Sequence, residues 1–378
     1  MQAEQFIELA QQQTGLTEFD SNSFREPLNE LLAGINERAE RESILGRLNN
    51  EIVGALANRL RVTDYLKQHP EIEDAPIEAP IIVMGMPRTG TTMMSYLLDC
   101  EEQFRSLLNW EAVDSVPPPT SETLRTDPRC VAKKAMQEQI FAHLPFAVPH
   151  WEWADGPTEC IFVHAQDFKA LSWESRAVSD RYAEYLLHCD MSSAYEYQKK
   201  VMRVLQSQAP GRWALKMPSH SLHFEWAVKA FPDAKFIWTH RNPYKALASL
   251  GNTISTAHHS TLGAVDVDFI NRVYPKQISE HVNRPMRLRE SLPGDQVLDI
   301  YCNEMIADPI DNMRRIYAWL GMTLSDSVET AMLAWRAGDN ERQSARPKYS
   351  LEDFGWTEST IEPFFAEYLE RYPKARDA

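Results

Sequence analysis

The chain has 378 residues, 43% of them hydrophobic, enough to bury a large core as one big domain or two. Its formal net charge of −15 argues against a general nucleic-acid binder, because neutralising phosphates takes a basic face. No run approaches the roughly 18 apolar residues of a membrane span. The five cysteines are scattered and odd in number, without a C-x-x-C pair, and read as reduced thiols of a cytoplasmic protein, not as a metal site or a disulfide frame. The opening MQAEQFIELAQQQTG lacks the basic and apolar parts of a secretory signal.

Residues 1–78 read as an N-terminal helical segment. Phe24, Leu28, Leu31, Leu32 and Ile35, then Ile52, Leu56, Leu60 and Tyr65, recur at helical spacing. From 79 to 378 the pattern is that of an α/β domain. The apolar run Ile81-Ile82-Val83-Met84 predicts a strand, and Met93-Met94-Ser95-Tyr96-Leu97-Leu98 a helix start. Between them lies Gly85-Met86-Pro87-Arg88-Thr89-Gly90-Thr91-Thr92. A strand, a glycine-bearing turn and a helix N-terminus form an anion cradle, because unpaired N–H groups and the helix dipole converge there. Gly85, Gly90 and Thr92 fit the phosphate-loop pattern G-x-x-x-x-G-K-[ST], but Thr91 stands at the lysine position and Arg88 is the only cation. The loop is therefore expected to grip a phosphate-like group without the usual lysine.

Four further strands are predicted at Arg105–Asn109, Arg212–Lys216, Lys235–His240 and Gln296–Tyr301. Apolar runs alternating with helical stretches imply a central, mostly parallel sheet of about five strands, flanked by helices and P-loop-like. The long interval 115–210 departs from a minimal strand–helix–strand plan and is expected to be a helical substrate lid or a purely structural helical layer. It carries His150-Trp151-Glu152-Trp153-Ala154-Asp155-Gly156-Pro157. The tryptophans between 151 and 173 could wall an apolar acceptor or pack the core.

A second anion site is expected where the fourth strand ends in Arg241-Asn242-Pro243, with Asn242 as helix N-cap and Pro243 at the first helical position. Arg241 would emerge at a strand's carboxyl end, where open α/β sheets bind ligands, and Ser249 would follow two helical turns later. A magnesium-dependent kinase needs an Asp at such a strand end, and here Thr239-His240-Arg241 stands there. The His258-His259 pair has no spaced third ligand and is expected in a loop, so no metal site is predicted.

These residues resemble the sulfotransferases that use 3′-phosphoadenosine 5′-phosphosulfate, particularly the bacterial branch. Pro87-Arg88-Thr89-Gly90-Thr91-Thr92 looks like that family's 5′-phosphosulfate loop, and Arg241 with Ser249 like its 3′-phosphate pair. The segments from Trp213 to His220 and from Tyr349 to Gly355, and the lead-in with Asn58-Arg59-Leu60 and His69-Pro70, look like that branch too. The resemblance implies sulfuryl transfer to an acceptor hydroxyl or amine of a small molecule, lipid or sugar. The product would be adenosine 3′,5′-bisphosphate, and no metal would be needed. Arg88 would stabilise the departing oxygen, with the loop from Thr89 through Gly90, Thr91 and Thr92 on the 5′-phosphosulfate. Cytosolic members close the 3′-phosphate site with an Arg-Lys-Gly element that is not found here, and Arg346 and Lys348 are the candidate stand-ins. They also place a histidine two residues after a strand-end lysine, whereas Lys216 is followed by Met217 and Pro218.

A positioned base should help an acceptor hydroxyl by roughly 10²–10⁴-fold. Glu111, after the second strand, is the first choice, unless it forms a salt bridge or helix cap beside Trp110, and His220, past the third strand, is the second, unless it is a helix-start histidine bonded to backbone. Lys216 would join the sulfuryl site or pair with a carboxylate, while Glu159 and Asp155 would orient substrate or lie solvated in the lid. Two rival readings stand beside sulfotransfer. One is a nucleotide-dependent kinase with an atypical loop, the other a non-catalytic nucleotide-binding protein of the same fold.

Overall fold

The computed structural model describes residues 2–143, 152–343 and 349–378, with the side chains of 339–343 left aside. Three helices come first: α1 (Ala3–Thr14), α2 (Arg25–Asn36) and α3 (Arg41–Gln68). Then follow β1 (Ile81–Gly85), α4 (Thr91–Leu98) and the short β2 (Phe104–Ser106). Five helices fill the long interval before the next strand: α5 (Pro128–His143), α6 (Ile161–His164), α7 (Leu171–Ala177), α8 (Asp180–His188) and α9 (Ser192–Gln206). The remainder alternates as β3 (Arg212–Lys216), α10 (Phe224–Ala230), β4 (Lys235–His240), α11 (Pro243–Leu262), α12 (Val267–Arg289) and β5 (Val297–Tyr301). It closes with α13 (Cys302–Ala307), α14 (Pro309–Trp319), α15 (Asp326–Gln343) and α16 (Glu358–Arg371).

The five strands form one sheet in the order β2-β3-β1-β4-β5, and every neighbouring pair is parallel. Successive side chains of a strand leave on opposite faces. Ile82, Met84, Leu215, Phe236 and Trp238 therefore join one apolar core, while Ile81, Val83, Ala214, Ile237 and Ile300 join another. The first core is completed by α9 to α12 and α16, the second by Met93, Met94 and Leu97 of α4 and by Met313, Ile316 and Tyr317 of α14. Burial on both faces is why these strands read as continuous apolar runs instead of alternating ones. Each fully buried Leu or Ile contributes about 1.5–3 kcal/mol.

The second strand is shorter than its predicted span. After Ser106 the backbone leaves the sheet, and the N–H groups of Asn109 and Trp110 bond the carbonyls of Gly156 and Ala154 (3.0 and 3.1 Å). The N-terminal helices do not stand alone either. Phe6, Phe24, Leu28, Leu31 and Leu56 share a core with Phe168, Trp173 and Tyr182 of the 165–186 region. Arg59, 1% exposed, locks that contact by donating to Asp20 (2.7 Å) and Asp167 (2.7 Å). Asn58 beside it bonds Gln166 (2.8 Å) and Ser115 (3.1 Å), so the Asn-Arg pair of the lead-in ties α3 to the inserted helices. No described helix is long and apolar enough to cross a membrane.

Candidate active site

The site is built at the carboxyl end of the sheet around the loop from β1 to α4. Gly85 takes φ 151°, and a Cβ there would lie 2.5 Å from both the carbonyl and the hydroxyl oxygen of Thr239. Only glycine lets β1 and β4 approach this closely at their ends. The buried Thr89 hydroxyl bonds the Met86 carbonyl (2.7 Å) and meets Thr239 Oγ1 at 2.6 Å, and Thr239 in turn bonds the Met84 carbonyl (3.1 Å). Its hydroxyl thus shapes the loop. Arg88 (φ 71°) and Gly90 (φ 91°) both sit in the left-handed region, and that turn aims the first N–H groups of α4 out of the helix. Thr91 is buried in the first turn and Thr92 is exposed. A non-glycine residue at positive φ is strained by about 1 kcal/mol or more and persists only where neighbours over-determine it.

That neighbour is Arg241. β4 runs directly beside β1, with Gly85 opposite Thr239, so Arg241 emerges next to the loop. Its Nη1 donates to the Arg88 carbonyl at 2.6 Å. Asn242 caps α11 as expected, accepting from the N–H groups of Tyr244 and Lys245 (2.9 and 3.3 Å) behind Pro243. The helix then carries Ser249 back to the loop, where its hydroxyl accepts from Arg88 Nε (3.0 Å) and meets the Tyr349 hydroxyl (2.6 Å). Arg88, Arg241 and Ser249 form one connected group. Tyr349 belongs to a segment noticed for its likeness but given no role from sequence.

On the other side of β1 lies β3, with Val83 opposite Lys216. The Lys216 side chain is 1% exposed and held between two carboxylates, Glu152 Oε1 at 2.5 Å and Glu159 Oε1 at 3.0 Å. The chain reaches this place by a backbone splice: the Thr158 N–H bonds the Leu107 carbonyl (2.8 Å) and the Cys160 N–H the Lys216 carbonyl (3.0 Å). Burial works against the Lys216 charge, but Glu152 and then Glu159 outweigh it and hold the ammonium above its ordinary range. Burial raises the Glu159 carboxyl, the charge of Glu152 adds to this, and Lys216 and Arg88 oppose it. Glu152 also receives a short hydrogen bond from the Thr158 hydroxyl, itself bonded by Asn109 (3.2 Å). Glu152 sits in the aromatic-acidic stretch, where the sequence alone gives it no role.

The two expected bases sit elsewhere. Glu111 is fully buried and its oxygens take Arg105 Nη1 and Nη2 (2.8 and 2.7 Å) and the Leu108 N–H (2.9 Å). It is the anchor of the turn that follows β2, with neither oxygen available to an acceptor. His220 lies in the short turn Pro218–His220, fully buried, with Nδ1 2.8 Å from the Tyr195 hydroxyl. Burial and the nearby His164 hold it neutral, far below the usual histidine range, and its place is in the packing between β3 and the inserted helices. Asp155 pairs with Lys134 (2.5 Å) at the surface, and Trp173 packs in the core against Phe168. The histidine pair is not in a loop: both lie within α11, with His258 fully buried. Arg346 and Lys348 fall outside the described residues.

The sulfotransferase family matches residues 80–326, well over half of the chain. The chain belongs to the sulfotransferase family. Among solved structures, sulfotransferase STF9 from Mycobacterium avium is 44% identical with a TM-score of 0.88, covering 98% of this chain and 96% of that one. Sulfotransferase STF1 from Mycobacterium tuberculosis is 27% identical with a TM-score of 0.84, covering 97% of this chain and 99% of that one. The omega-hydroxy-beta-dihydromenaquinone-9 sulfotransferase Stf3 of Mycobacterium bovis is 23% identical over 265 residues, 65% of this chain. That match spans 63% of the length of the Stf3 protein. A sulfotransferase of this family therefore carries the loop on β1, the Arg241–Ser249 pair and the Lys216 cluster around one end of its sheet.

Proposed function

We propose that this sulfotransferase moves the sulfuryl group of 3′-phosphoadenosine 5′-phosphosulfate to an acceptor hydroxyl. The observation that carries the reading is the contact among Arg88, Arg241 and Ser249, which puts two guanidinium groups and a hydroxyl beside one helix N-terminus. A doubly phosphorylated adenosine is the ligand such a pair suits, because the loop N–H groups of Gly90, Thr91 and Thr92 take one phosphate and Arg241 with Ser249 the other. Thr89 holds the loop in shape for that contact.

Transfer needs charge stabilised on the bridging oxygen as the sulfur–oxygen bond breaks. Arg88 lies at the loop and Lys216 one strand away, and both supply fixed positive charge in a partly dehydrated setting. The kinase reading fits less well. The nearest strand-borne carboxylate, Asp299, accepts from His240 Nε2 (2.9 Å) and Arg289 Nη1 (2.6 and 2.8 Å). Burial works to raise its pKa, but those two partners outweigh it and hold it below the ordinary range. Its oxygens are committed within the sheet edge, so this strand presents no free carboxylate to a phosphate-bound cation.

The test is ligand preference measured by calorimetry. Adenosine 3′,5′-bisphosphate should bind at least about tenfold more tightly than adenosine 5′-monophosphate, the gain expected of one charged hydrogen-bond pair. Equal affinities, or tighter binding of ATP with magnesium, would count against the donor. The name of the Stf3 relatives contains a hydroxylated dihydromenaquinone, so a mass-shift screen for the acceptor starts with such alcohols and continues through sterols, phenols and sugars.

A further inference from the structure

We propose that Glu159 is the base that takes the acceptor's proton and that Glu152 is a positioning residue which, through Lys216, sets the pH at which Glu159 works. This rests on the sulfotransfer reading above. The two carboxylates converge on a single ammonium from a segment that returns to the sheet after a long excursion. Lys216 is almost wholly buried, whereas the side chains of Glu152 and Glu159 are 15% and 25% exposed. Glu152 is fully engaged, with Oε1 on Lys216 and Oε2 on the Thr158 hydroxyl. Glu159 accepts only at Oε1, and its second oxygen has no hydrogen bond among the described residues. Burial raises its carboxyl, and the charges of Lys216 and Arg88 act against that rise.

Burial makes Glu159 harder to ionise, and the like charge of Glu152 adds to this. The charged groups facing them come from every neighbouring element. Lys216 lies on β3, Arg88 on the loop, and Lys133 on α5, where burial lowers its ammonium to about 8 and the Glu152 charge works against that fall. In the step itself, the acceptor oxygen forms its bond to sulfur while its proton passes to Glu159. The sulfur–oxygen bond to the 5′-phosphate breaks, and its electron pair stays on the phosphate of adenosine 3′,5′-bisphosphate. Glu159 returns the proton to water after release. Since the base must be ionised, the rate rises as pH climbs through the Glu159 pKa. Removing the like charge at 152 should move that rise to lower pH.

Water serves as the acceptor, so the experiment does not depend on identifying the natural one. Sulfate release from labelled 3′-phosphoadenosine 5′-phosphosulfate is followed against pH, with bisphosphate affinity measured in parallel. Glu159→Gln should lose roughly 10²-fold or more in release with bisphosphate binding intact. Glu152→Gln should shift the acidic limb downward by about one pH unit, and Glu152→Asp should restore it. The Glu159 carboxyl is titrated independently by carbon NMR in wild type and Glu152→Gln, which needs no turnover. An unshifted Glu159 midpoint in Glu152→Gln, or full release in Glu159→Gln, overturns the proposal. Failure of the wild type to bind the bisphosphate would sink the sulfotransfer reading instead, a distinct result.

Discussion

The two flanks of β1 are built by different means. On the β4 flank the strand, Arg241, the Asn242 cap and Ser249 follow one another within fifteen residues of chain, 235–249, so local geometry alone brings the arginine and the serine to the loop. On the β3 flank only Lys216 is local. Its two carboxylates arrive from 57 and 64 residues away, delivered by the strand-like splice beside Leu107 and Lys216. The difference teaches that the flank proposed for the donor's far phosphate is a sequence motif, while the flank proposed for the acceptor is a product of tertiary structure. An insertion can vary the second without touching the first.

The sharpest way to break the comparison is to cut the support beneath the β3 flank. Glu111 and Arg105 are 0% and 3% exposed at the side chain and joined by two hydrogen bonds. Glu111→Ala should cost about 3–5 kcal/mol of folding stability, because it leaves a guanidinium buried without its partner. Chemical denaturation measures this. The activity per folded molecule should show no shift in its pH profile, since Glu111 reaches no acceptor. A displaced acidic limb in that variant would return the base to Glu111.

Lys216→Met comes next. If its ammonium stabilises the sulfuryl group as proposed, its loss should lower turnover roughly 10²–10³-fold. It should also push the Glu159 carboxyl upward, since Lys216 opposes the burial that raises it. Bisphosphate affinity should stay within about twofold, because the product carries no sulfuryl group for Lys216 to hold and the sites are separate. A parallel fall in affinity and turnover would mean that the two flanks are one site.

The same contrast explains what could be read from the chain. The parallel sheet was legible because both of its faces are buried, giving five compact apolar runs, and the loop because Gly85 is forced by the approach of Thr239. The Arg241–Ser249 pair was legible because a helix fixes their spacing. For Glu111 the sequence leaves base and salt bridge both open, because position after a strand says nothing of whether a carboxylate is already taken, and here Arg105, six residues earlier, takes it. His220 stays open in sequence for a related reason: being next to the functional edge does not reveal that Tyr195 and His164 enclose the ring. Glu152 had no local signal at all. Its meaning lies in Lys216, 64 residues later.

Arg241→Ala is the gentlest of the three substitutions and separates two effects on the β4 flank. The guanidinium is expected to read a phosphate, and it also donates to the carbonyl of Arg88, a residue held at φ 71°. If phosphate recognition dominates, the variant should lose about 1.5–3 kcal/mol of adenosine 3′,5′-bisphosphate binding while adenosine 5′-monophosphate, lacking the 3′ group, is scarcely affected. If support of the loop dominates, both nucleotides should weaken together, because the N–H groups of α4 that face the 5′-phosphate would lose their fixed direction. Calorimetry with the two ligands decides between these, and the expected result is selective loss. Arg241→Lys sharpens the answer: an ammonium keeps the charge but lacks the fork that can hold a carbonyl and a phosphate oxygen at once, so it should recover only part of the 3′-phosphate preference.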